Sequence, residues 1–165
     1  MIRKNNVTFL TLLLVALMLG IFAGGCNMEH QKQNEEYVAS VKQLVNDAVT
    51  YTRAMREQAD AFDCQNTASG KDYIEVLTSI EDICSKLLAL DTPEYFAESG
   101  GSLHAAAQDS LDAVSEIKGL AVYALDNKDD TLYRRSVQEL TERYQTGYES
   151  VVNCSSLIQT DWRNA

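Results

Sequence analysis

Residues 35–63 read EEYVASVKQLVNDAVTYTRAMREQADAFD. Val38, Val41, Val45, Ala48, Thr52, Met55, Ala59 and Phe62 recur at alternating steps of three and four, the spacing that lines one face of an α-helix. Tyr37, Leu44 and Tyr51 widen that stripe on one side, while Arg53, Arg56 and Glu57 fall off it. The spacing predicts one long amphipathic helix over 35–63. Nowhere does the chain alternate apolar and polar residues at period two for long enough to make a strand, so helices of this kind decide the fold.

Three more segments follow the same rule. A polar break, Gln65 to Gly70, precedes a stripe of Tyr73, Leu77, Ile80, Cys84 and Leu87, joined by Val76 and Ile83. In Leu90-Asp91-Thr92-Pro93, Thr92 has the chemistry of an N-cap and Pro93 that of a first helical residue. Ser99-Gly100-Gly101-Ser102 then predicts a break or kink, since two glycines cost a helix about 2 kcal/mol relative to alanines. Beyond it Leu103, Ala107, Leu111, Val114, Ile117, Ala121 and Leu125 form an inner face. The turn 126–130 (DNKDD) stops this helix, and Asp129 or Asp130 is placed to cap the next. There Tyr133, Val137, Leu140, Tyr144, Gly147, Val151, Cys154 and Ile158 complete the pattern. Segments 35–63, 69–90, 102–126 and 130–160 are about 33 to 45 Å long at the helical rise. Short turns between such helices make neighbours antiparallel. The predicted fold class is all-α, an up-down bundle of three to four long helices over residues 35–165.

The first 25 residues are of another kind. Arg3 and Lys4 precede an uncharged apolar run, 7–24, that closes with Ala23-Gly24-Gly25 before Cys26. An apolar run of about 18 residues is within the lower range for a membrane span, and Gly20 and Gly24 make a GxxxG spacing that suits helix pairing if the span is kept. A basic tip, an apolar run and small residues are equally the layout of a secretory signal. Ala23-Gly24-Gly25-Cys26 resembles the lipobox of bacterial lipoproteins, with Ala23 where leucine is commoner. The resemblance covers residues 1–26. It implies a diacylglyceryl group on the sulfur of Cys26, a cut before that residue, and a chain held at the membrane by its lipid on the extracytoplasmic face. Residues 26–34 then read as a short flexible tether, polar and without periodicity. LDTPEYF (90–96), followed by an alanine-rich helix, a short acidic turn and a closing helix, is similar to small bacterial lipoproteins with all-helical domains. That second resemblance implies no particular activity.

Charge narrows the partners. Without Arg3 and Lys4 the rest of the chain carries 12 basic and 24 acidic residues, net −12 against −10 for the whole. Nucleic acid requires a basic footprint, so no nucleic-acid partner is expected. The same sign opposes lying flat on an anionic membrane.

Chemistry-bearing residues are few. With Cys26 acylated, Cys64, Cys84 and Cys154 remain, and Cys84 with Cys154 is the pair considered for a disulfide because both fall on inner stripes. Measured along the helices, however, they stand ~22 Å and ~36 Å from the turn end, whereas bonded cysteines need Cα atoms within about 7 Å. Buried thiols are therefore preferred. No spacing resembles a zinc site, and neither metal nor cofactor is expected. His104 lies one residue off the inner stripe with no companion but His30. Asp109, Asp112 and Glu116 share a helix face, where a solvated surface is the simplest account. Asn153-Cys154-Ser155 matches a glycosylation acceptor formally but falls on a buried stripe. Tyr123, Tyr133, Tyr144 and Tyr148 cluster in sequence around the last hairpin and could line a ligand groove, offering apolar rings with polar tips. The chain shows no phosphate-cradling loop or nucleophile elbow. The expectation is a non-enzymatic binding or scaffolding bundle, attached to the membrane through Cys26 and meeting a protein or other envelope partner. The alternative is a small-ligand sensor or carrier using the tyrosines.

Overall fold

The computed structural model describes the backbone of residues 4–164 and the side chains of residues 28–164. The signal segment 1–25, its cleavage flank Ala23, Gly24 and Gly25, and Cys26 lie outside the described side chains. The elements are α1 (Lys4–Asp60), α2 (Thr67–Leu88), a 3-10 turn (Glu94–Phe96), α3 (Ala97–Asn127) and α4 (Thr131–Arg163). No strand occurs among the described residues. The chain falls into two units that meet after Glu36.

In the first unit the expected irregular tether is instead helical, since α1 includes residues 27–34. Met, Glu, Gln and Lys are good helix formers, and Lys32 Nζ meets Glu36 Oε1 at 3.5 Å one turn on. Helix here needs no buried face, and Met28 to Gln33 are all exposed. Among the described residues no helix is long and apolar enough to cross a membrane.

The second unit, Tyr37–Ala165, is the bundle. Its helices alternate in direction, as contacts of α1 with α4, α2 with α3 and α3 with α4 show. Phe62, just past the end of α1, packs with its ring tilted on Tyr133 at the start of α4 (centroids 4.4 Å apart), whereas Thr52 bonds Tyr144. Gly70 and Leu125 meet across α2 and α3, as do Glu81 and Ser115. Ser110 lies against Gly147, and Glu116 against Arg143. The core has two layers along the axis. Near the two hairpin turns, Met55, Phe62, Tyr73, Leu77, Ile117 and Tyr144 are buried together. Toward the other end, Tyr37, Val41, Leu87, Phe96, Leu103 and Ile158 form the second layer.

The predicted stripes are the buried ones, with informative slips. Cys154 is only half-buried and Ser155 takes its place inside; Leu111 likewise yields to Ser110. The predicted break at Gly100-Gly101 is absent, and α3 runs through both. Gly100 is there for closeness: a Cβ would stand 2.8 Å from the Tyr37 hydroxyl and 2.9 Å from Thr92 Oγ1. Gly101 faces open space. Thr92 is not the cap either, because extended Pro93 (ψ 150°) precedes the 3-10 turn and Thr92 Oγ1 has no hydrogen-bond partner among the described residues. At the last turn Lys128 takes the left-handed conformation (φ 55°) that ends α3. Asp129 Oδ1 then accepts from Thr131 N at 3.0 Å and Thr131 Oγ1 at 2.6 Å, satisfying the start of α4.

Candidate functional site

The four tyrosines considered as a groove are not brought together at a surface. Tyr133 and Tyr144 are 3% and 1% exposed, inside the hairpin-end layer. The Tyr133 hydroxyl donates to Tyr73 at 3.1 Å, and Tyr144 shares a 2.6 Å bond with Thr52. Burial raises the pKa of all three tyrosines, Tyr73, Tyr133 and Tyr144, by penalising the phenolate. Tyr148 stacks on Tyr144 with ring centroids 6.1 Å apart, whereas Tyr123 points outward, 46% exposed. A tyrosine at a core position at helical spacing packs its ring inward, so nearness in sequence made no shared wall.

The other candidates also resolve. Cys64, Cys84 and Cys154 are free thiols, and the bond considered between Cys84 and Cys154 is not formed. The two lie in different layers: Cys84 in the hairpin-end layer with Tyr144, Cys154 packed against the other layer. Burial pushes the Cys84 thiol up to about 12, with the nearby Glu81 carboxylate adding to the effect. His104 is half-buried, and its Nε2 has no partner among the described residues. Asp109 and Asp112 are exposed, Asp112 accepting a bond from Gln108 at 2.7 Å, and Glu116 pairs with Arg143 at 3.1 Å. Among the described residues no group of three metal-ligating side chains converges.

What the bundle does present is one seam unlike the other three. The α2–α3 seam is closed by Glu81, which takes Ser115 Oγ at 2.8 Å and also pairs with Lys118. Glu116 and Arg143 bridge α3 to α4, and Arg56 reaches Gln145 across α4 and α1. Between Tyr37–Asp60 of α1 and α2, no side-chain hydrogen bond or ion pair crosses among the described residues. In that seam lies a recess of about 680 Å³ lined by Ala39, Ser40, Gln43, Leu44, Ala89 and Leu90, with the stem of Lys86. Its walls are chiefly apolar. A second recess of about 420 Å³ shares Lys86 and continues along the same seam past Asp47, Tyr51, Glu75, Asp82 and Ile83. Lys86 is the sole base of the two, held by Asp82 at 2.6 Å with Asp47 also nearby.

The signal for this seam was present in the sequence as the extra width of the α1 stripe. Leu44 and Tyr51 lie at the edge of the α1 stripe, Leu44 half-buried against the core and Tyr51 exposed along the seam. Leu90, one turn past the α2 stripe, supplies the facing wall.

Comparison of this chain with protein families, with curated proteins and with solved structures finds no match.

Proposed function

We propose that this chain is a lipoprotein held at the extracytoplasmic face of the cell membrane through Cys26, and that its helical bundle works by binding a protein or other envelope partner. The anchor rests on Ala23-Gly24-Gly25-Cys26 behind a basic tip and an apolar run. The observation that carries the binding half is the α1–α2 seam, where apolar side chains lie open and, among the described residues, no polar bridge closes them. Apolar surface that a chain leaves uncovered between two helices is what a helical partner buries. Against catalysis stands the fate of the bundle's reactive groups. The hydroxyls of Tyr73, Tyr133 and Tyr144 and the thiol of Cys84 are inside the core, with burial favouring their protonated, unreactive forms.

In-cell cross-linking of the wild-type chain and of Cys26→Ser tests the reading. A tethered binder gains local concentration from its anchor. The wild type is therefore expected to give a discrete cross-linked partner that Cys26→Ser loses or strongly weakens. An equal cross-link from both chains contradicts the anchor, and no cross-link from either contradicts the binding role.

A further inference from the structure

We propose that the α1–α2 seam docks a helical segment of another protein, apolar in one half and bearing lysine or arginine in the other. The inference rests on the binding role proposed above and specifies its occupant.

The seam is long enough for a helix. From Glu75 to Leu88 its α2 wall spans about 20 Å at the helical rise, between three and four turns, and Ala89 and Leu90 extend it. It is also shaped for one. Two antiparallel helices leave a furrow between them, and a third helix packs into such a furrow at an interaxial distance of about 8–10 Å if small residues let it approach. Ala39 and Ala89 are small and exposed, and Leu44 and Leu90 are half-buried in the same recess.

The chemistry changes along the length. At the Leu90 end the wall is alanine, leucine and the stems of Gln43 and Lys86. At the Glu75 end it is Asp47, Glu75 and Asp82, against which only Lys86 stands. Three acids and one base leave the polar half net negative, and Lys86 is already engaged by Asp82. A partner helix that matches both halves therefore carries leucine-like residues at one end and cations at the other. A second copy of this chain fits poorly, since the part from Cys26 onward is net −12 and would set acid against acid. An anionic lipid surface is repelled for the same reason.

The test uses the native protein extracted into detergent micelles and two labelled helical peptides of about 15 residues. One carries leucines in its first half and lysines in its second; its twin has glutamate for each lysine. Fluorescence anisotropy gives affinities for the wild type, Ala39→Glu and Glu75→Lys. Both substituted positions are exposed, and circular dichroism checks that each variant folds. The lysine peptide is expected to bind, and its twin about tenfold or more weaker. Each variant should lose about tenfold, as a lost charge pair or a blocked apolar wall would produce. The Glu75→Lys deficit should shrink as salt shortens the screening length. Equal binding of the two peptides, unchanged affinity in both variants, or no binding by either peptide at millimolar concentration would overturn the proposal. So would a concentration-dependent dimer that the peptide fails to displace. The cross-link of the preceding section separates the two claims. If it survives both variants, the partner uses another face and the seam is wrong while the binding role stands. If the wild type yields no cross-link at all, the binding role itself falls.

Discussion

At the residue scale, Gly147 and Gly101 show how differently two helical glycines act. A Cβ on Gly147 would stand 2.6 Å from Ser110 Oγ and 3.1 Å from the Ser110 backbone nitrogen, so α4 would have to move off α3. A Cβ on Gly101 would meet nothing within 4 Å. Gly147→Ala is thus predicted to lower stability by about 1–3 kcal/mol through overpacking, and Gly101→Ala to raise it by up to about 1 kcal/mol through helix propensity. Urea denaturation of both variants checks the opposite signs. The bond between Thr52 and Tyr144 is buried, and both residues are nearly inaccessible, 4% and 1% exposed. Tyr144→Phe strands the Thr52 hydroxyl and should cost about 1–3 kcal/mol. Adding Thr52→Val to that background should recover part of the loss, and a double-mutant cycle reads the coupling. The sequence did not display these details. Thr52 fell on its predicted stripe but its partner did not follow from spacing, and Ser110 and Ser155 fell off theirs, because hydropathy patterning counts a serine as surface unless the neighbouring helix is known to approach.

At the element scale the helices were legible because a period of three and four residues survives every local irregularity. The stripes of α1 and α2 are buried almost as spaced, from Val41 to Phe62 and from Tyr73 to Leu87. Ends and breaks were less legible. Propensity alone argues for interrupting α3 at Gly100-Gly101, yet packing overrode it, since only a residue without Cβ lets α3 lie against Tyr37 and Thr92. The start of α4 illustrates the reverse, where local chemistry prevailed. Asp129 accepts two bonds from Thr131, and these bonds hold its carboxyl below the ordinary carboxylate value of 3.8. A carboxyl depressed in the folded state stabilises above its unfolded pKa and loses that contribution as pH falls through the folded value. Asp129→Ala is predicted to lower the melting temperature at neutral pH, with the difference from wild type closing in acid. Thermal scans from neutral pH to pH 2 follow it.

At the scale of the whole molecule the same linkage acts from the alkaline side. Cys84 is pushed up to about 12, and burial raises Tyr73 and Tyr144 above their ordinary value of 10.0. Groups raised in the folded state stabilise fully below their unfolded pKa values, here about 9 for the thiol and 10 for the phenols, and lose that contribution as pH climbs through the folded ones. Stability should therefore fall steeply above about pH 9, and replacing Cys84 with alanine should remove the earliest part of that fall. The bundle as a whole was legible, down to its antiparallel order, because length, turn spacing and amphipathic faces permit few arrangements. The open seam was only half legible. Leu44 and Tyr51 announced surplus apolar width, but which helix would face them, and whether a polar bridge would close the gap, depends on side chains far apart in sequence. The tyrosine groove failed for a related reason: Tyr133 and Tyr144 belong to one core layer that α1 and α2 complete. What this acidic bundle can meet depends on where it is fastened. The most direct measurement is the intact mass of the native protein extracted in detergent. A chain beginning at Cys26 with added diacylglyceryl mass is the result predicted; an unmodified chain beginning at Met1 would contradict it.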